Sequence, residues 1–334
     1  MERFSAHVLC LFLICFGGVF GQIYVTGTIT DYVLGMPAES CLVKLWGISP
    51  NTMVDSMRTS QAGTYAFSDV PAGVYEVRII DNRFVADSVQ TTITQSAVFD
   101  FTVYDKAHVL QDGSIPDTLS KTGSPFLVMN TVTVSKPIAI SAGVQVLIFK
   151  SGFLRFGDDV SATGQEDDPV VFASGRLATD TGAIGDMRFM SNAGKYVFKY
   201  CSFSRLFSMI LMECAGSIVH FEHCEFSGME SALHFSAMGR PSNFIFINNR
   251  MLHCGRGISS AGYLADTVTI TDNLFLCAED ALTLANTNMF VRRNTFFGTV
   301  RLDARSVTVK DTITSNIFTT VAFDNAGDKS AFFA

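Results

Sequence analysis

No segment of this 334-residue chain is dense in lysine or arginine, and its 24 basic against 31 acidic side chains give a net charge of −7. Binding a phosphate backbone needs clustered positive charge, so nucleic acid is excluded as the main partner. The eight cysteines include no paired CxxC, which leaves a zinc site without its ligand spacing. Long apolar runs are missing too. The stretch from Val8 to Phe16 is shorter than the ~20 residues that a bilayer core requires. Arg3 precedes it and small residues follow toward Gly21, the layout of a secretory signal peptide. Residues 1–21 are therefore expected to be removed, taking Cys10 and Cys15 with them. The mature protein is expected to be secreted or at the cell surface, with no membrane span.

Charged residues are also scarce, 16% against 48% hydrophobic, which is ample for a large core in one or two units. The C-terminal half carries a ladder of three columns. The first is Phe198, Phe221, Phe246, Ile270, Val291 and Ile313. The second is Cys201, Cys224, Asn249, Asn273, Asn294 and Asn316, and the third is Phe203, Phe226, Met251, Phe275, Phe296 and Phe318. Steps along the third column are 23, 25, 24, 21 and 22 residues. A fixed period of this size marks a solenoid, whose repeats bury their apolar faces only by stacking.

Residues 221 and 224 are an odd step apart, so Phe221, Cys224 and Phe226 cannot share one strand face and a bend must separate them. A further strand is expected at Ile210 and Met212, Leu233 and Phe235, Ile258 and Ser260, Leu282 and Leu284, Val300 and Leu302, and Val321 and Phe323. Three short parallel strands per coil is the design of a β-helix. The Leu-dense signature of a leucine-rich repeat is missing.

From Gln22 to Tyr104 the pattern changes to short alternating strands punctuated by Gly and Pro. They are read at Ile23 to Ile29, Cys41 to Trp46, Thr52 to Thr59, Tyr65 to Phe67, Val74 to Ile80 and Val98 to Val103. Gly63 and Gly73 suit turns with unusual backbone angles, while Tyr65, Phe67 and Tyr75 alternate onto an inner face. With Pro71, these residues make residues 22–104 resemble the carboxypeptidase-regulatory-like (transthyretin-like) sandwich, close to collagen-adhesin B-type modules. That resemblance implies a spacer or binding accessory. Residues 105–125 read as a connector broken by Asp112, Gly113, Pro116 and Gly123. Beyond it, Gly143, Gly152, Gly164 and Pro169 to Phe172 resemble the entry rungs of right-handed parallel β-helices of the pectate-lyase-like superfamily. The expected fold is all-β, an antiparallel sandwich followed by a right-handed parallel β-helix over 126–334. The eleven residues after Phe323 contain no amphipathic cap, so a continuation beyond Ala334 is expected.

The Phe and Asn columns are assigned to structure: stacked rings fill the interior, and stacked amides bond to one another and to corner backbone. Cys201 and Cys224 replace Asn in the first two of these coils and read as buried thiols. The interleaved positions form a polar face, Lys199, Glu222, Ile247, Thr271, Arg292 and Thr314 beside Tyr200, His223, Asn248, Asp272, Arg293 and Ser315. Solenoids use such faces to bind long polymers. For a polysaccharide, Tyr200 would stack on sugar while His223, Asn248, Asp272 and Arg293 would hydrogen-bond.

Catalytic candidates are carboxylates: Asp280 beside Glu279, and Asp303 with Asp324 one coil apart. The NTD, DD and GHG groups of pectin hydrolases and the WIDH segment and acidic calcium cluster of pectate lyases are not present. No cofactor is implied, and calcium is left open. His220, Glu222 and His223 form the one H-E-H spacing, but adjacent strand positions face opposite ways, which separates them as metal ligands. The expected function is a secreted or cell-surface protein that binds or organises polysaccharide or another cell-envelope component. The alternatives are a polysaccharide lyase or glycosidase using an outer face, and an adhesin with a protein ligand.

Overall fold

The computed structural model describes residues 22–178, 185–191, 193–236, 241–260, 265–284, 288–303 and 312–324. For Leu284, Leu302, Asp303, Phe323 and Asp324 it describes the backbone alone. The expected signal peptide and the residues after 324 lie outside the described residues.

The first unit is a sandwich of β1 (Val25–Asp31), β2 (Leu42–Gly47), β3 (Thr52–Arg58), β4 (Thr64–Phe67), β5 (Gly73–Ile79), β6 (Asp87–Ile93), β7 (Ala97–Val98) and β8 (Phe101–Val103). One sheet runs β4-β1-β7 with β8 also on β1, and the other runs β3-β2-β5-β6. Alternation places Tyr65, Phe67 and Tyr75 in a common core with Val25, Val43 and Val77, as their spacing requires. Gly63 has φ +70, in the left-handed region. Gly73 differs from expectation: it opens strand β5 and lies against the Tyr75 ring. The sequence DSVQTTI of β6 gave no strand signal because only Asp87 and Ile93 are buried, and the strand lies at a sheet edge.

The second unit is a parallel β-solenoid with three faces. Its first face is a nine-stranded sheet from Thr118–Leu119 to Thr312–Thr314. The second face includes Val170–Ser174, Cys201–Ser204, Glu225–Ser227 and Arg250–Cys254. The third includes Asp186–Phe189, Ser208–Leu211, Ser231–Phe235 and Arg256–Ser260. In the later coils the second and third strands fuse into single bent strands, Leu274–Leu284, Thr295–Asp303 and Ile317–Asp324. The corner between those two faces is therefore lost as a break.

Both Phe-rich columns stack residue on residue. Phe198 pairs with Phe221, Phe246, Ile270, Val291 and Ile313 in successive coils. Phe203 leads to Phe226, Met251, Phe275, Phe296 and Phe318 in the same way. Rings of Phe198 and Phe221 stack at 5.0 Å, and those of Phe275 and Phe296 at 4.7 Å. Each fully buried Phe contributes about 1.5–3 kcal/mol relative to exposure, so the columns add substantially to the cohesion between coils.

The amide column works as expected. Asn249, Asn273, Asn294 and Asn316 each donate Nδ2 to a first-column carbonyl, of Phe221, Phe246, Ile270 and Val291 respectively, at 2.8–3.0 Å. Cys224 and Cys201 continue this pattern with weaker thiol donors, to Phe198 and Ala162 carbonyls at 3.4 and 3.5 Å. All six described cysteines are buried free thiols.

One expected register fails. In the coil of Ser208–Leu211 it is Met209 and Leu211 that are buried, while Ile210 and Met212 turn outward, beside an irregularity between Ser208 and Ile210.

Thr118–Leu119, inside the expected connector, already pairs with the first face, and Leu110, Ile115 and Leu119 belong to the solenoid core. This segment closes the core at its N-terminal end. The sandwich packs against the side of the early coils. Leu127, Leu147 and Ala173 form an outward column there, in a cluster with Tyr104, Phe149 and Leu177. Tyr104 and Phe149 meet edge to face at 5.0 Å, and the Asp87 carboxylate accepts the Ala178 N–H at 2.9 Å.

Candidate functional site

Between the first and second faces the chain turns through a single residue. Tyr200, His223, Asn248, Asp272, Arg293 and Ser315 all have φ between +50 and +60. They are corner residues, not the outward strand positions that alternation suggested. Asn, Asp and His are enriched in this left-handed region, which accounts for part of the polar character of the column. Asn or Cys follows each corner and pins it from inside, so the corner side chains project outward at intervals of about 4.8 Å, one per coil.

The Tyr200 and His223 rings lie one coil apart, 4.7 Å between centroids and 4° from parallel. The Tyr200 face turned toward the next coil is thus covered by His223, and the stacked pair presents ring edges, with their hydroxyl and nitrogens, to solvent. Further along, Arg293 grips Asp272 in a two-pronged ion pair, Nε and a terminal nitrogen each 2.6 Å from a carboxylate oxygen. This donor pair holds the Asp272 carboxyl below the usual aspartate range. Glu225 and Arg250 lie on adjacent coils of the second face, 3.5 Å apart.

A groove of ≈ 450 Å³ runs along this corner between the rim residues Gln165, Glu166 and Pro169 and the side chains of Tyr200, His223, Glu225 and Asn248. A second, of ≈ 500 Å³, shares His223, Asn248 and Arg250 with the first and continues to Asp272, Arg293 and Thr295. The five residues expected to bind carbohydrate therefore line two adjoining grooves. Glu225, Arg250 and the Gln165–Glu166 rim were not anticipated. Glu225 and Arg250 follow the Cys/Asn column by one residue and could have been found by reading the ladder one position further.

The expected catalytic carboxylates are elsewhere. Asp280 lies where the second and third strands fuse and accepts Arg301 Nε at 2.8 Å, outside both grooves. Glu279 similarly pairs with Arg256 at 2.9 Å. Asp303 and Asp324 are register partners on adjacent coils, as their spacing implied, and their side chains lie outside the described residues. His220 and Glu222 share the outward side of one strand, with Nε2 3.4 Å from the carboxylate but not in hydrogen-bond geometry. Glu222 is held instead by Lys199 at 2.7 Å, which lowers its pKa. Among the described residues no group of three His, Cys, Asp or Glu could hold a metal ion.

On the third face His234 Nδ1 lies 3.0 Å from Ser259 Oγ. Burial, then Arg256, lowers the pKa of His234, and no carboxylate bonds to its ring among the described residues. The pair therefore lacks the third group that orients a catalytic histidine.

A further cavity, ≈ 540 Å³, is in the sandwich beside Thr26, Thr28, Arg58 and Asp100. Asp100 is already engaged there by the Thr28 N–H and hydroxyl.

No family model and no curated protein matches the chain. Among solved structures it is similar over 25% of its length to 5-hydroxyisourate hydrolase of Klebsiella pneumoniae, at 18% identity, 85% coverage of that chain and a TM-score of 0.22. A DUF3823 family protein of Parabacteroides merdae is similar over the same share, at 18% identity, 46% coverage and 0.22. The TIE protein of Bacillus anthracis is similar at 12% identity, also over 25% of this chain, with 16% of that chain covered and a TM-score of 0.21.

Proposed function

We propose that this protein binds an extended polysaccharide along the corner between the first and second solenoid faces, as a secreted or cell-surface β-helix protein. One observation carries the reading: two adjoining grooves share His223, Asn248 and Arg250 and run along successive coils. Polar groups recur there at about 4.8 Å, one per coil. An extended glycan lying along the axis would meet one corner side chain per coil. Rigid corners held by the amide ladder keep those groups in place before binding, so little ordering entropy is lost.

Recognition in this reading is by hydrogen bonding at the edges of Tyr200 and His223 and by Asn248, with stacking confined to what the Tyr200–His223 contact leaves open. The sandwich, of carboxypeptidase-regulatory-like kind, serves as an accessory fixed against the early coils. The solenoid is of the right-handed, pectate-lyase-like kind. The role is binding, since the carboxylate nearest to a catalytic assignment, Asp280, is tied to Arg301 outside the groove. The test is a panel of soluble polysaccharides against the full chain, by affinity electrophoresis or calorimetry. Retardation by at least one polymer supports the reading, and indifference to the whole panel alongside capture of a protein ligand would replace it with the adhesin alternative.

A further inference from the structure

We infer that the corner groove takes an uncharged glycan and rejects uronic-acid or sulfated polymers, an inference that rests on the polysaccharide reading above. It follows from how the groove's charges are disposed. Three carboxylates line it, Glu166, Glu225 and Asp272, against two guanidiniums, Arg250 and Arg293. Each arginine of the lining already faces a carboxylate, so its charge is matched before any sugar arrives and Glu166 is left as a surplus anion. Arg293 gives Nε and one terminal nitrogen to Asp272, each contact 2.6 Å, and Arg250 faces Glu225 at 3.5 Å. Glu166 stands exposed on the rim with no cationic partner among the described residues.

A uronate carboxylate binds best through the planar fork of an arginine. At Arg293 it would either displace Asp272 or take the remaining N–H groups of the guanidinium, and in both cases two carboxylates would stand beside one cation. Like-charge juxtaposition of this kind opposes binding, and a regularly charged polymer would meet it at both ion pairs. Sugar hydroxyls face no such barrier. They donate to the free lone pairs of Glu225, Glu166 and Asp272, and they accept from the Asn248 amide and the Tyr200 hydroxyl, while every ion pair stays intact. Because no counterion exchange is involved, binding should be nearly independent of salt.

The experiment uses the full chain against two panels at low and at physiological ionic strength: neutral glucan, galactan, mannan and xylan, and acidic polygalacturonate, alginate and heparin. At least one neutral polymer should bind at least about tenfold more tightly than any acidic one at low salt, with little change on adding salt. An acidic polymer that binds more tightly than every neutral one would overturn the inference while leaving polysaccharide binding in place. Binding of neither panel would remove both. In the Glu225→Gln, Asp272→Asn double variant the arginines are released, and measurable polygalacturonate binding should be gained. A variant that keeps its circular dichroism spectrum yet gains none would contradict the proposed basis of exclusion.

Discussion

The backbone N–H and the side-chain Nδ2 of Asn249 both donate to Oδ1 of Asn273 in the next coil, at 2.7 and 3.2 Å. Asn273 repeats the arrangement with Asn294 at 2.9 Å in both bonds, and Asn294 with Asn316. Each amide thus satisfies its own coil's corner and the coil before it. The grooved corner outside depends on this internal chain of bonds.

Removing one link should be costly. Asn273→Ala strips the acceptor from the Asn249 N–H and the donor from the Phe246 carbonyl, both buried. With about 1–3 kcal/mol lost for each buried group left unpaired, a loss of about 3 kcal/mol is expected. Urea unfolding checks it through the midpoint at constant slope. A loss under about 1 kcal/mol would mean that the ladder is decorative.

The corner residues themselves separate backbone from side-chain roles. Asn248 sits at φ +55, a conformation open to glycine and poorly suited to β-branched residues. Asn248→Gly should leave stability within about 1 kcal/mol, while Asn248→Val should cost about 1–2 kcal/mol more through left-handed strain. Thermal melts of the two variants decide this. Equal melting temperatures would contradict it.

Acid sensitivity should arise partly from half-buried imidazoles. Burial lowers the pKa of His220, opposed in part by Glu222, and burial followed by Arg256 lowers that of His234, both from an ordinary 6.5. The unfolded chain therefore takes up these protons first. Their contribution is fully present above pH 6.5 and is lost as pH falls through the lower folded values. Melting temperature followed from pH 7.5 to 5 should drop less steeply in the His220→Gln, His234→Gln double variant than in the parent. Identical slopes would show that other groups control this range.

The solenoid was legible because its columns are local in meaning: Phe198 above Phe221 and Phe203 above Phe226 follow from a repeat that any register error would destroy. The corner was legible only as a required bend between Phe221 and Cys224. Strand alternation gave the right side for Tyr200 and His223 but not the left-handed backbone that places them, because a one-residue turn interrupts the sequence pattern too briefly to be seen. The Ile210 and Met212 error has a similar origin, an irregularity at Ser208 that shifts the face by one residue. Strand β6 was lost because its interior residues, Val89 apart, are polar. Packing of Leu127 and Leu147 against Tyr104 and Phe149 was illegible for another reason: apolar residues on both sides of a strand read as a buried strand whatever covers them. In the groove, the five corner side chains were legible as polar and outward, whereas the pairing of Arg250 with Glu225 depends on coil stacking.

The central claim is that side chains at this corner bind polysaccharide. Its most direct measurement is the affinity of the His223→Gly, Asn248→Gly double variant for whichever panel polymer the parent binds. Glycine suits both left-handed positions, φ +53 and +55, so the fold is retained while two of the three polar side chains shared by both grooves are removed. The account predicts a melting temperature close to the parent's and a loss of affinity of at least about tenfold, the equivalent of one good hydrogen-bonding contact. Undiminished affinity in a folded double variant would place the binding surface elsewhere and contradict the account.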